Sequence, residues 1–300
     1  MTLNIKEKIT EIENIIFTDP GNRWISSLYQ KNSLQISSEK ILKTQKDKKS
    51  YILTGFCCLK PSCETDGPLG SSLLNSTLNN LGFNTFLLTD SYSEKVVKAS
   101  SKNNKIIIEN SYEKFIEKNP ENEISFIISC ERPGRTLKYK DYRTMKANII
   151  NNQNSNLDLL FPGENEKKNY LTIGIGDGGN ECGTGNIHKE VQKKINLGDE
   201  ICTDRFCDCL IMSGVSNWGA LGLSASLVIL NGKKDNMEFF IKECYSQRDL
   251  LQKMIDSGSY DGVTGKSELS VDGMKFDNEH MDVINKVVKV VKECFKIIFF

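Results

Sequence analysis

Short apolar runs alternate with amphipathic segments along most of this chain. The apolar runs have the length of buried strands and lie at residues 51–59, 85–88, 106–109, 124–129, 171–175 and 208–212. Segments with apolar positions at helical spacing occupy residues 69–81, 93–101, 111–118, 181–195, 218–230 and 281–295. The pattern therefore predicts repeated strand–helix–strand units.

Strands that alternate with helices favour a parallel sheet whose two faces are covered by helices. We therefore predict an α/β fold with an open, mostly parallel, Rossmann-like sheet and helices on both faces. Residues 1–300 are expected to form a single domain, on which residues 1–48 pack as an N-terminal helical segment. In that segment, residues 3–17 predict one helix, Asp19-Pro20-Gly21 ends it, and a second short helix is expected to begin at Trp24.

Composition and charge exclude several classes of protein. With 38% hydrophobic and 26% charged residues, the chain has the composition of a globular protein and not of a disordered one. Its 39 basic and 39 acidic residues cancel, which argues against a protein that grips nucleic acid through a broad basic surface. No apolar run approaches the roughly 18 residues that span a bilayer, so no membrane partner is expected.

The N-terminal sequence and the cysteines bear on the cellular location. The N-terminus carries Glu7, Glu11 and Glu13 among its lysines and lacks the apolar stretch of a secretory signal. The ten cysteines are spread through the chain without the spacing of a small disulfide-rich domain, so we interpret them as reduced thiols. Both features favour a cytoplasmic protein.

Polar side chains follow four of the predicted strands. Ligands of open α/β sheets bind at the carboxyl ends of the strands, where loops diverge and helix N-termini face the ligand. The junctions rich in glycine and polar residues are residues 64–68, 130–135, 176–181 and 213–219. Because the carboxyl ends of parallel strands share one edge of the sheet, we expect these junctions to form one site.

The junction after the strand at 171–175 is the richest in glycine. Its backbone N–H groups are able to form an anion-binding turn because glycine permits the required dihedral angles. The glycines in question are Gly176, Gly178 and Gly179. Asp177 and Glu181 would repel a phosphate there unless a divalent cation lay between them. The alternative is a tight turn in which Asn180 caps a helix and Glu181 complements its dipole.

The segment ERPGR at residues 131–135 places two guanidinium groups beside a carboxylate. Arginine presents a planar fork that matches a carboxylate with two hydrogen bonds, so this segment suits an acidic small molecule. The alternative is an arginine–glutamate pair that only holds a loop. His188 and His280 are too few for a three-histidine zinc site, and we expect carboxylates to carry acid–base chemistry.

Six motifs at these junctions resemble one known family. They are TDGPxG at residues 65–70, ERPGR at 131–135, IGIGDGGNE at 173–181, GVSNWG at 214–219, GVTG at 262–265 and VDG at 271–273. In this order they are similar to the D-glutamate cyclase-like C-terminal domain, from about residue 50 to residue 290. The resemblance is to the stand-alone form, without the hydro-lyase-like domain that precedes it in fused enzymes.

The resemblance implies a lyase that removes water from D-glutamate to give 5-oxo-D-proline. It implies catalytic roles in proton transfer for Glu131, Asp177 and Glu181. It implies substrate binding by Thr65, Asp66, Arg132, Arg135, Asn180, Ser216 and Asn217. Either arginine would clamp the α-carboxylate, while the two asparagines and the N–H groups of the glycine-rich turn would stabilise the oxyanion.

The sequence requires no cofactor, and Mg²⁺ held by Asp66, Asp177 and Glu181 is the one we consider. The expected partner is a small acidic substrate, with a homo-oligomer left open. A mitochondrial location, as in family members with a transit peptide, is the alternative to the cytoplasm. Two other functions stay open: a non-catalytic module that binds an acidic metabolite or nucleotide, and a metal-dependent hydrolase.

Overall fold

The predicted parallel sheet is present in the computed structural model of the protein, which describes residues 3–20 and 25–299. Its strands are β1 (Lys49–Thr54), β2 (Asn84–Thr89), β3 (Ile106–Ile108), β4 (Ile124–Cys130), β5 (Leu171–Gly176) and β6 (Cys209–Met212). They pair in parallel in the order β3-β2-β1-β4-β5-β6. The open α/β fold that the alternating pattern predicts is therefore confirmed.

Helices cover the sheet and fill the remaining chain. The α-helices of the described residues are α1 (Leu3–Ile16), α2 (Ser33–Leu42), α3 (Pro68–Asn80), α4 (Glu94–Ala99), α5 (Tyr112–Lys118), α6 (His188–Lys194), α7 (Gly198–Ile201), α8 (Ser216–Asn231), α9 (Lys234–Tyr245), α10 (Gln247–Asp256) and α11 (Met281–Phe299). Short 3-10 helices lie at Ile25–Leu28, Glu121–Glu123, Asn151–Gln153, Asn156–Leu160 and Thr184–Ile187. A small antiparallel hairpin, β7 (Ser270–Val271) and β8 (Met274–Lys275), precedes a π-helical turn at Phe276–His280. None of the helices described here is long and apolar enough to cross a membrane.

Some predicted boundaries differ from the structure. The strand predicted at 51–59 ends at Thr54, because Gly55 adopts a φ of 106° that turns the chain out of the sheet. The helix predicted at 181–195 starts only at His188, after a glycine-rich turn and a 3-10 helix. The start predicted at Trp24 lies outside the described residues. No element was predicted at residues 234–256, where α9 and α10 lie.

The sheet is buried on both faces, which explains its near-continuous apolar strands. All seven residues of β4 are buried. On one face, alternate strand residues pack under α2, α3 and α8, and α1 and α11 pack on α8 in turn; the strand residues include Ile52, Ile128, Ile173 and Ile211. On the other face, a smaller cluster includes Tyr51, Leu53, Ile127, Phe115 and Phe161.

The strand order creates a switch point between β1 and β4. The chain leaves β1 toward β2 on one side of the sheet, whereas it leaves β4 toward β5 on the other. The loops that follow these two strands therefore diverge and leave a crevice at the carboxyl edge, which is where ligands bind in open α/β sheets. The junctions after β1, β4 and β5 meet at this crevice.

Two helices that begin at this edge cap each other. The carboxylate of Asp66, before α3, accepts the N–H groups of Ser216 (2.9 Å) and Asn217 (2.8 Å) at the start of α8. In return, Oδ1 of Asn217 accepts the N–H groups of Gly67 (3.0 Å) and Gly70 (2.7 Å) at the start of α3. A Cβ atom on Gly70 would lie 2.7 Å from Cα of Asn217, so glycine permits this approach. The exchange satisfies four N–H groups that helix starts leave unpaired.

His280 links α8 to the C-terminal hairpin. Its Nδ1 accepts the indole N–H of Trp218 (2.9 Å), and its Nε2 donates to the carbonyl of Val271 (3.1 Å). Burial lowers the pKa of His280 to about 4, so the ring is neutral at physiological pH. This histidine is a structural residue of the core.

We predict that Asn217→Ala destabilises the fold by about 3 kcal/mol, because it removes the α3 cap and leaves the buried N–H of Gly70 and the carbonyl of Thr65 without this side-chain partner. Urea denaturation measures the change in the free energy of unfolding. Asn80→Ala, at the exposed end of α3, is the matched control and is expected to change it by less than about 0.5 kcal/mol. Equal effects of the two substitutions would contradict the capping role.

A second prediction concerns pH. Since the pKa of His280 is lower in the folded state than in the unfolded chain, its contribution to stability is complete above about pH 6.5 and is lost as the pH falls toward 4. Between about pH 7 and about pH 5 the wild type should lose about 2 kcal/mol more than His280→Gln. Urea denaturation of both proteins at the two pH values tests this, and parallel losses would refute it.

Candidate active site

A small acidic cavity of about 170 Å³ lies at the carboxyl edge of the sheet. Carboxylic acids from separate loops line it: Glu64 after β1, Glu131 after β4, Asp177 and Glu181 after β5, and Asp272 between β7 and β8. Pockets for drug-sized ligands measure roughly 300–1,000 Å³. This cavity is therefore sized for a small metabolite.

The carboxylates form two groups that share one member. Oxygen atoms of Glu131, Asp177 and Glu181 lie within 4.8 Å of one another, and so do oxygen atoms of Asp66, Asp177 and Asp272. Like charges at this spacing cannot all ionise without a proton or a cation between them. Asp177 is the centre of the arrangement.

Glu131 has the most constrained position of the group. It is buried, its φ of 49° lies in the left-handed region, and Ser216 Oγ donates a 2.6 Å hydrogen bond to its carboxyl. A Cβ on Gly67 would approach Cβ of Glu131 to 2.6 Å, so this glycine makes room for it. Burial, followed by the charges of Asp177 and Glu181, raises the pKa of Glu131 well above its ordinary value. We infer that Glu131 keeps its proton more readily than an exposed glutamate does.

The glycine-rich turn binds an anion, and that anion is the chain's own Glu181. One carboxylate oxygen of Glu181 accepts the N–H of Gly178 (2.7 Å), and the other accepts the N–H of Gly179 (2.7 Å). A Cβ on Gly176 would lie 2.9 Å from the same carboxylate. The N–H groups expected to stabilise a substrate oxyanion are thus already bound, and Glu181 holds the turn in shape.

Neither arginine of the ERPGR segment lines the cavity. Arg132 is completely buried, where its guanidinium pairs with Asp90 (2.7 Å) and donates to the carbonyl of Ser155 (2.7 Å). Arg135 pairs with the buried Asp158 at 2.8 Å. Both guanidinium groups brace loops through partners that are distant in the sequence, so neither arginine is positioned at the cavity to clamp a substrate carboxylate.

The other predicted substrate-binding residues have mixed positions. Asn180 lines the cavity, and its Nδ2 donates to the carbonyl of Arg143 (2.8 Å). Asp66 and Asn217 make the reciprocal caps, and Ser216 contacts Glu131. Thr65 is buried behind them, with its N–H donating to the carbonyl of Tyr260 (2.9 Å). Of the residues expected to bind substrate, only Asn180 lines the cavity directly.

Three charged residues of the cavity are not among the site residues that the sequence predicts: Glu64, Asp272 and Lys146. Burial raises the pKa of Glu64 well above its ordinary value, and Gly262 packs directly over its carboxyl. Glu64 adjoins the TDGPxG motif and Asp272 stands in the VDG motif, so a sequence motif marks the position of each. Lys146 lies in a polar loop that contains no motif.

This arrangement suits acid–base chemistry on a small substrate. A carboxyl with a raised pKa beside a second carboxyl group is able to provide an acid and a base in one cavity. Clustered carboxylate oxygens are also the ligands that Mg²⁺ prefers. The groups of the described residues that are able to hold a metal ion consist only of carboxylates.

Comparisons with known proteins agree with the motifs. A protein-family model described as "D-glutamate cyclase-like, C-terminal" matches residues 12–288. The human "D-glutamate cyclase, mitochondrial" is 27% identical over 96% of this chain, which spans about half (53%) of that relative's length. A crystal structure of an exopolyphosphatase-related protein from Bacteroides fragilis covers 89% of this chain and 60% of its own, with 10% identity and a TM-score of 0.40. That last likeness is too weak to bear on function.

We predict that Glu131→Gln stabilises the fold at neutral and alkaline pH. The raised pKa of Glu131 means that its contribution to stability is lost as the pH rises above the ordinary value, and the amide removes that loss. The gain in unfolding free energy over the wild type should therefore be larger at about pH 8 than at about pH 5. Urea denaturation measures it, with the exposed Glu117→Gln as control. A loss of stability at about pH 8 would contradict the prediction.

Proposed function

The chain belongs to the D-glutamate cyclase-like, C-terminal family, and on that premise we propose that it is a lyase that dehydrates D-glutamate to 5-oxo-D-proline. The observation that carries the proposal is the buried Glu131, held within 4.8 Å of the Asp177 carboxylate in a metabolite-sized cavity. This pair meets the two proton-transfer requirements of the reaction.

The reaction joins two ends of one molecule. The α-amine attacks the γ-carboxyl carbon, a C–N bond forms, a C–O bond breaks, and water leaves. The nitrogen goes from an ammonium to an amide and loses two protons, and the departing γ-carboxylate oxygen gains two to leave as water. Asp177 accepts the first proton from the nitrogen, and Glu131 donates its proton to the departing oxygen. Once the C–N bond has formed, Glu131 accepts the second proton from the nitrogen, Asp177 passes its proton to the departing oxygen, and both residues regain their starting states. The raised pKa of Glu131 supports its role as the proton donor.

The cavity also supports catalysis by confinement. Nucleophile and electrophile belong to the same substrate, so a site that holds glutamate folded supplies much of the acceleration through proximity. A volume of about 170 Å³ leaves little room for an extended conformation with its solvent shell. Ser216 positions the Glu131 carboxyl through their 2.6 Å hydrogen bond.

Charge favours a divalent cation as part of the proposal. The lining acids would repel a substrate with two carboxylates, and Arg132 and Arg135 are committed to Asp90 and Asp158. Asp66, Asp177 and Asp272 offer hard oxygen donors within 4.8 Å, a set that fits Mg²⁺. Asp272 joins Asp66 and Asp177 in this set, whereas Glu181 stands in the other carboxylate group, with Glu131 and Asp177. When bound, the ion would offset negative charge and polarise a substrate oxygen.

A metal-dependent hydrolase is the second candidate. The observation that favours it is the pair of carboxylate groups that share Asp177, since hydrolases use such clusters to activate water. Its products would contain no 5-oxoproline. A binding module without turnover, and the cytoplasmic or mitochondrial location, stay predictions.

The test is to incubate the purified chain with D-glutamate or L-glutamate, with Mg²⁺ or with EDTA, and to follow 5-oxoproline by chiral chromatography. We expect product from the D-isomer, less of it in EDTA, and losses of about 100-fold or more in Asp177→Asn and Glu131→Gln. Asp199→Asn, at an exposed carboxylate on α7, is the matched control and should keep full activity. No product from the folded wild type, or full activity in Asp177→Asn, would exclude the proposed cyclase mechanism.

A further inference from the structure

The acidic cavity has one basic side chain among its described lining residues, Lys146. The side chain is exposed at the mouth of the cavity. Its ammonium group makes no hydrogen bond or ion pair with any residue that the structure describes, whereas Arg132 and Arg135 are both paired. A charged donor without a protein partner at a binding cavity is available to a ligand.

The loop that carries Lys146 is held in a defined shape. Thr144 Oγ1 accepts the N–H groups of Lys146 (3.3 Å) and Asn148 (3.2 Å), and the N–H of Thr144 donates to the carbonyl of Asn148 (3.0 Å). Ala147 adopts a φ of 61° to complete this turn. The loop is tied to the glycine-rich turn by Asn180 Nδ2, which donates to the carbonyl of Arg143 (2.8 Å). The loop that carries Lys146 is thus fixed to the glycine-rich turn that contains Asp177.

The depth of each group indicates which end of a substrate Lys146 meets. Glu131 and Asp177 are 6% and 4% exposed, so the reacting groups must lie in the interior of the cavity. Lys146 stands at the mouth. In a cyclisation that joins the amine to the γ-carboxyl, the carboxylate that does not react is the α-carboxylate, and it faces the mouth.

We propose that Lys146 binds the α-carboxylate of the substrate and so restricts the site to acidic amino acids whose α-carboxylate is free. The inference rests on the proposed function. It assigns to Lys146 the role that the sequence suggested for the two arginines. Glutamate α-amide and peptides that begin with glutamate are consequently poor ligands, because they lack the negative charge at that position.

Apolar side chains at the mouth strengthen this recognition. Leu59 and Val263 are each 56% exposed, Met145 is 37% exposed, and all three line the cavity beside Lys146. An ion pair in open water contributes little to binding. A bound ligand would cover these apolar groups and exclude water from the lysine–carboxylate pair, which makes the pair more favourable.

The experiment measures turnover and binding by the wild type, Lys146→Met, Lys146→Arg and the control Lys43→Met, an exposed lysine at the opposite edge of the sheet. Calorimetry with D-glutamate and with D-glutamate α-amide accompanies the 5-oxoproline assay. Lys146→Met should weaken D-glutamate binding and raise KM by about tenfold or more, with a smaller change in kcat. Lys146→Arg should recover part of the loss, Lys43→Met should behave as wild type, and α-amide binding should not change.

The outcomes separate this inference from the proposed function. Wild type that binds D-glutamate through Lys146 but forms no 5-oxoproline would refute the cyclase and retain the carboxylate site. Turnover with an unchanged KM in Lys146→Met, or an equal loss for the α-amide, would refute the role of Lys146 and retain the cyclase. Wild type that neither binds nor converts D-glutamate would refute both.

Discussion

The candidate site depends on the reciprocal capping of α3 and α8. Asp66 and Asn217 each accept N–H groups at the start of the other's helix, and Gly70 lets the two helix starts approach closely. This exchange joins the loop after β1 to the loop after β6, over β4 and β5, which lie between those strands. Ser216 is thereby placed against Glu131, and Asp66 near Asp177. Without these caps the loops at the switch point would lose the hydrogen bonds that hold them in fixed positions relative to one another.

The second constraint is the concentration of acidic side chains at this edge of the sheet. Glu181 is stabilised by backbone N–H groups, whereas Glu131 and Glu64 respond to burial with raised pKa values. The arginines that follow Glu131 in the sequence brace the surrounding loops against Asp90 and Asp158 and leave the cavity acidic. Raised pKa values of buried carboxyl groups in a cavity are typical of active sites.

Four residues that the sequence singled out line one cavity, but the sequence did not predict the partners of the side chains around them. The cavity is lined by four residues that each follow a parallel strand: Glu131, Asp177, Asn180 and Glu181. Their position after a strand can be predicted from the apolar runs and the glycines of the sequence. The partner of Arg132 stands 42 residues away along the chain, and Lys146 comes from a loop without any motif. Whether a guanidinium meets a substrate or an aspartate depends on contacts that no local pattern records.

The amino-acid sequence by itself determined the open α/β fold, the edge of the sheet at which the candidate site lies, and the family, because strand and helix periodicity and short motifs are local properties. Tertiary structure alone decided which charges are neutralised. It filled the glycine-rich turn with Glu181, paired both arginines, and left Lys146 facing the cavity. The reason is physical: burial and distance set the energy of a charge, and both arise only when distant segments pack together.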